Sequence, residues 1–135
     1  TPEGKFAPKK EVIELASKLA LESGGNVEVT SDARSAASGA SVLYTDVWMS
    51  MGDPEADRIE KEKALTSYSI SDELMGLASK DAIFMHCLPA HRGQEVSASV
   101  MDGRASKIWR QAYHRRTTIQ AILYHSLRGE LKGRI

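Results

Sequence analysis

Asp81-Ala82-Ile83-Phe84-Met85-His86-Cys87-Leu88-Pro89 runs apolar and then stops. Ala82 to His86 reads as a buried strand. Pro89 has no N–H to give a ladder, so the strand ends ahead of it. The continuation, His86-Cys87-Leu88-Pro89-Ala90-His91-Arg92-Gly93, brings the only cysteine of the chain, two histidines and an arginine to one strand's C-terminal end. In an open parallel sheet that end is where ligands bind.

Outward from this strand the pattern alternates. Towards the N-terminus, Val12, Ile13, Ala16, Leu19 and Ala20 recur at helical spacing after Pro8, and Gly24-Gly25 ends the run. Asn26 to Thr30 alternates as a short strand does. Ser31-Asp32 caps a short helix through Ala37, closed by Gly39. Ser41 to Thr45 is another apolar strand, Asp46 to Gly52 a loop, and Pro54 to Leu65 a strongly charged helix. Ser71 caps a helix carrying Glu73, Leu74 and Leu77. Beyond Pro89, Ser97 to Met101 predicts a helical turn, Ser106 to Trp109 a fourth short strand, and Gln111 to Leu131 a long helix with Ile119, Ile122, Leu123, Ser126 and Leu127 on one stripe. Strands alternating with helices predict an α/β class: a doubly wound, Rossmann-like parallel sheet with flanking helices. The first element is a helix led in by the turn residues Thr1-Pro2-Glu3-Gly4, so the opening strands of such a sheet are expected upstream of Thr1.

Composition narrows the function. The 135 residues are the size of one domain, with 18 basic and 18 acidic side chains and a formal net charge of zero. Nothing here favours a nucleic-acid or membrane surface. One cysteine excludes an intrachain disulfide framework and fits a reducing compartment, so a cytoplasmic location is expected. Residues 1–10 lack the apolar core of a signal peptide, and no apolar run approaches the roughly 18 residues of a membrane span. There is no internal repeat or low-complexity tract.

Two clusters carry the candidate chemistry, each with a plainer alternative. Asp46-Val47-Trp48-Met49-Ser50-Met51-Gly52 follows a strand end. Asp46 suits a charge-assisted bond to a substrate ammonium, Ser50 offers a hydroxyl, and Gly52 permits close backbone approach; an Asp after a strand also serves as a simple turn residue. Cys87 beside His86, His91 and Arg92 is either a thiol in a cationic setting or a small buried apolar residue. A metal on His86, Cys87 and His91 is disfavoured, because the paired spacing of a closed zinc site is missing. His114-Arg115-Arg116, at the start of the last helix, suits an anion near a helix N-terminus or a solvated basic turn. Asp53 to Lys63 reads as a solvated helix face, Trp48 and Trp109 as packing residues, and His125 as structural.

These motifs resemble a known family. Asp46-Val47-Trp48-Met49-Ser50-Met51-Gly52 resembles the ornithine-binding loop of the ornithine carbamoyltransferases, and His86-Cys87-Leu88-Pro89 resembles their second signature. Ala90-His91-Arg92-Gly93-Gln94-Glu95-Val96, Thr1-Pro2-Glu3-Gly4, Tyr44-Thr45-Asp46 and Ala121-Ile122-Leu123-Tyr124 continue the likeness. The Ser-Met-Gly element separates ornithine enzymes from aspartate carbamoyltransferases. The resemblance implies transfer of the carbamoyl group of carbamoyl phosphate to the δ-amine of L-ornithine, giving L-citrulline and phosphate. It implies that Asp46, Ser50 and Met51 bind ornithine, that Cys87 and Leu88 lie beside the reacting groups, and that Arg115 contacts carbamoyl phosphate. Cys87 and Arg115 are then the catalytic candidates. A cis Leu88-Pro89 bond, a homotrimer with sites between subunits, and no metal or organic cofactor are implied as well.

Two departures stand out. The family's Glu-Asn ahead of the arginine is Tyr113-His114 here, and Arg116-Thr117-Thr118-Ile119-Gln120 also strays from its pattern. The family's Ser-x-Arg-Thr-Arg and His-Pro-x-Gln motifs do not occur in residues 1–135, which correspond to a partial ornithine-binding domain without the carbamoyl-phosphate domain. The alternative is a truncated or degenerate, non-catalytic domain that binds an amino acid or another subunit.

Overall fold

The computed structural model describes residues 1–50 and 52–130. Its elements are α1 (Lys10–Ser23), α2 (Ala33–Ala37), β1 (Val42–Thr45), α3 (Arg58–Leu65), α4 (Asp72–Leu77), β2 (Ile83–His86), α5 (Ala98–Met101) and α6 (Ile108–Leu127). Local chemistry sets most of the boundaries. Gly24 at φ 74° ends α1, its N–H reaching back to the carbonyls of Ala20 and Leu21. Asp32 accepts from the N–H groups of Arg34 and Ser35 at the start of α2 (3.0 and 3.1 Å). Ser71 and Ser97 do the same for α4 and α5, each accepting at 3.2 Å from the N–H three residues on.

β1 and β2 pair in parallel, Val42 opposite Ile83, Leu43 opposite Phe84, Tyr44 opposite Met85 and Thr45 opposite His86. A parallel pair needs a long crossover, and α3 and α4 supply it. Because side chains alternate across a strand, Leu43 and Phe84 share one face. There they join Ala37, Ile70, Val96, Val100, Met101 and Ile108 in one buried core. The result is the expected α/β class, a small parallel sheet with flanking helices. Among the described residues no helix is long and apolar enough to cross a membrane.

Three expectations are corrected. Asn26 to Thr30 is not a strand: Val27 and Val29 are both exposed, and no ladder partner for them exists among the described residues. A strand is defined by its partner, so alternation alone does not make one. Ser106 to Trp109 is not a strand either. Ser106 makes a single bridge to Phe84, flanked by Phe84 N–H to Ala105 O (3.0 Å) and Lys107 N–H to Phe84 O (2.9 Å), and α6 starts at Ile108. Burying Ile108 on the core-facing side of the helix wins over the local strand propensity. The last helix therefore begins three residues before Gln111 and stops at Leu127; Leu131 lies outside the described residues. Its stripe of Ile119, Ile122, Leu123 and Leu127 is exposed.

Ile108 is 0% exposed and Trp109 is 67% exposed. Ile108→Ala is expected to cost about 2–5 kcal/mol, and Trp109→Ala to stay within about 0.5 kcal/mol of the parent. Urea unfolding of both variants checks this; equal losses would mean that the segment is not the start of a helix.

Candidate active site

The register of the sheet builds the site. Thr45 and His86 are the last partners, so Asp46 and Cys87 leave the two strand ends side by side. The Cys87 thiol donates to Asp46 Oδ1 at 2.9 Å, and the same oxygen accepts the Val47 N–H at 2.7 Å. The hydrogen bond from Cys87 holds the Asp46 carboxyl below its ordinary pKa, helped by Val47 and by nearby His86, against the opposing cost of desolvation. Burial pushes the Cys87 thiol up, and the bond and charge of Asp46 push it further; a hydrogen bond from Tyr44 pulls the other way. The pair is thus a carboxylate that accepts and a neutral thiol that donates. The cationic setting sought for Cys87 in the sequence does not prevail. Arg92 is forked onto Asp102, both bonds at 2.8 Å.

His86 lies fully buried beneath this pair. Its Nδ1 accepts the Leu88 N–H at 2.8 Å, and its Nε2 stands 3.4 Å from Glu95 Oε1, with both side chains inaccessible to solvent. Glu95 Oε1 also receives the His91 N–H at 2.5 Å. Gln111 ties the strand ends to α6: it accepts from His86 N–H (3.1 Å) and donates to Tyr44 OH (3.0 Å). Glu95 was not singled out in the sequence. Its signals were its place in the stretch Ala90 to Val96 that continues the family likeness, and a carboxylate directly before Val96, a residue whose burial the pattern does not announce.

Arg115 reaches the cluster from α6 and donates from Nη2 to the Cys87 carbonyl at 2.5 Å. His114-Arg115-Arg116 sits in the second and third turns of α6, not at its start, so the free N–H groups of the helix end are not available there. Arg116 lies over the Tyr113 ring at 5.4 Å, and Tyr113 meets His114 edge-on. A cavity of about 590 Å³ opens beside Arg115, floored by Ile83 and Met85 and rimmed by Lys107, Arg110, Gln111 and His114.

Ser50 stands apart from Cys87. It lines a second pocket, about 250 Å³, with Met49, Asp53, Glu55, Arg58, His91 and Gln94. Gly52 has φ 98° and Leu88 φ 60°, and Leu88-Pro89 is cis, as the resemblance implies. Met51 lies outside the described residues. The ligand atoms of Asp46, His86 and Cys87 all fall within 4.8 Å of one another. His91 does not join them, and His86 Nδ1 is already spent on Leu88.

Residues 1–126 match the family model described as aspartate/ornithine carbamoyltransferase, Asp/Orn binding domain. The chain is 49% identical over 127 residues to a catabolic ornithine carbamoyltransferase of Thermoplasma volcanium, covering 94% of this chain and 41% of the relative. It is 45% identical to an ornithine carbamoyltransferase of Acidothermus cellulolyticus, covering 87% and 38%. The solved structure of ornithine carbamoyltransferase from Pyrococcus furiosus superposes with a TM-score of 0.83 at 44% identity, over 91% of this chain and 39% of that one. Ornithine transcarbamoylase from Giardia lamblia superposes with a TM-score of 0.82 at 35% identity, over 92% and 39%. The chain spans about two fifths of the length of these relatives.

Asp46→Asn removes the charge and weakens the acceptor that raise the Cys87 pKa, leaving burial. A lower thiol pKa means more thiolate at a given pH. The pH profile of Cys87 alkylation by iodoacetamide is therefore expected to move to lower pH in the variant. An unmoved profile would show that the two side chains do not interact.

Proposed function

The chain belongs to the aspartate/ornithine carbamoyltransferase family, in its Asp/Orn binding domain, and from that premise we propose that it is the ornithine-binding part of an ornithine carbamoyltransferase. The whole reaction moves the carbamoyl group of carbamoyl phosphate to the δ-amine of L-ornithine. A C–N bond forms, the C–O bond to phosphate breaks, the amine gives up a proton, and L-citrulline and phosphate leave. The observation that carries the reading is the convergence of Asp46, Cys87 and Arg115 at the strand ends, within the motifs that resemble those of ornithine enzymes.

Each group has a role that its chemistry supports. Asp46, held ionised, takes the α-ammonium of ornithine as a charge-assisted acceptor. The resemblance assigns Ser50 and Met51 to the same amino-acid pocket. Cys87, kept neutral, and the backbone of Leu88 lie against the reacting amine and the carbamoyl group. Arg115 points its guanidinium at carbamoyl phosphate. Nothing in this set needs a covalent intermediate: attack by a neutral amine on a polarised carbonyl gains most from orientation and fixed dipoles. The non-catalytic alternative rests on Tyr113-His114. The approach of Arg115 to Cys87 despite that change supports the enzyme reading over it.

Carbamoyl phosphate needs further binding groups beyond residues 1–135, in which the Ser-x-Arg-Thr-Arg and His-Pro-x-Gln motifs are absent. A trimer in the cytoplasm is part of the proposal, and the uncovered stripe of α6 is consistent with contact to more protein.

The 135-residue chain alone is expected to form no citrulline when given both substrates, while L-ornithine shifts the NMR signals of Asp46, Ser50 and Cys87. Asp46→Asn is expected to weaken that binding by about 1.5–3 kcal/mol, the worth of a hydrogen bond to a charged group. Equal binding by both forms would reduce Asp46 to a turn residue.

A further inference from the structure

The charged run after Gly52 is not uniformly solvated. Asp53 Oδ2 accepts the Ser50 N–H at 2.7 Å and the Lys61 ammonium at 2.6 Å. Asp53 N–H in turn donates to the Ser50 carbonyl at 3.1 Å, and Gly52, next to Asp53, takes φ 98°. That φ is open to glycine and strained for other residues. Lys61, in the second turn of α3, keeps only 18% of its side chain exposed, and Asp53 28%. An ion pair this sheltered is screened less than the exposed pairs elsewhere on the chain.

We propose that Asp53 and Lys61 are positioning residues, tying the Ser50 turn to α3 and so setting the affinity of the site for the amino-acid end of ornithine. The proposal rests on the reading of Asp46 and Ser50 as substrate contacts. Its physical content is pre-organisation. The Ser50 turn continues the loop that leaves β1 at Asp46, and a free turn would have to be ordered by the ligand at a cost in affinity. Lys61 fixes it beforehand through one carboxylate that serves both the turn and the helix. The ordinary reading of Lys61, a solvated cation on a charged helix, predicts no effect at Ser50 at all.

The test uses the isotopically labelled 135-residue chain and three variants, Lys61→Met, Lys61→Arg and Asp53→Asn. Lys61→Met keeps the apolar stem and deletes the charge. Amide hydrogen exchange at Ser50 is expected to quicken in Lys61→Met, with exchange in β1 and β2 unchanged. L-ornithine is expected to bind roughly tenfold more weakly, the loss of about one charge-assisted hydrogen bond. Lys61→Arg should restore most of both. Asp53→Asn keeps an oxygen for Ser50 and loses the hold on Lys61, so it carries the same test should Lys61→Met fail to fold. Unchanged exchange at Ser50, or unchanged affinity for L-ornithine, overturns the proposal. A parent chain that ignores L-ornithine overturns the substrate reading instead, and the exchange at Ser50, measured without ligand, tells the two failures apart.

Discussion

The parallel pairing of Thr45 with His86 is the constraint on which the site depends. It sets two loops, distant in sequence, leaving the sheet at the same level. Only in this register do Asp46 and Cys87 emerge opposite one another. A slip of either strand by one residue would turn its own core residue, Leu43 or Phe84, out of the core. The core therefore fixes the register, and the register fixes the site. Phe84, at zero exposure, is the bridge partner of Ser106, and Ile108, two residues on and equally buried, opens α6, so the start of α6 is locked to the same strand. Arg115 inherits its place from that lock, two helical turns on.

The chemistry follows from which group is buried and which is bonded. A cysteine near histidine and arginine invites a nucleophilic reading. Here the nearest charge is negative, and the arginine belongs to Asp102. What remains is a donor and an acceptor of fixed polarity. Beneath them, His86 spends one nitrogen on the Leu88 N–H and turns the other towards Glu95. The backbone after Cys87 is thus held by a side chain with no access to solvent, which suits a site that works by orientation.

Much of this was legible in the sequence, for identifiable reasons. Strand ends marked by Pro89, caps at Asp32 and Ser71, and the stop at Gly24 are local signals, and local signals survived. Asn26 to Thr30 failed because strand formation depends on a partner and not on alternation. Ser106 to Trp109 failed because four residues hold too little pattern to separate the end of a bridge from the first turn of a helix. At the site, Asp46, Cys87 and Arg115 were visible as motif residues. The direction of the Cys87 shift was not, since it turns on burial and on a carboxylate 41 positions away. Glu95 and the tie between Asp53 and Lys61 exist only in three dimensions.

The bare stripe on α6 has a consequence for the colloidal behaviour of the chain by itself. Ile119, Ile122, Leu123 and Leu127 face outward in a protein whose formal net charge at pH 7 is zero. Long-range repulsion between molecules is then weakest just where the apolar surface is most open. Attraction between such stripes scales with the area they cover. Moving the solution away from neutrality, in either direction, restores repulsion without touching the helix. The same polypeptide is thus expected to disperse least well near neutral pH and better on either side of it, wherever the fold itself still holds.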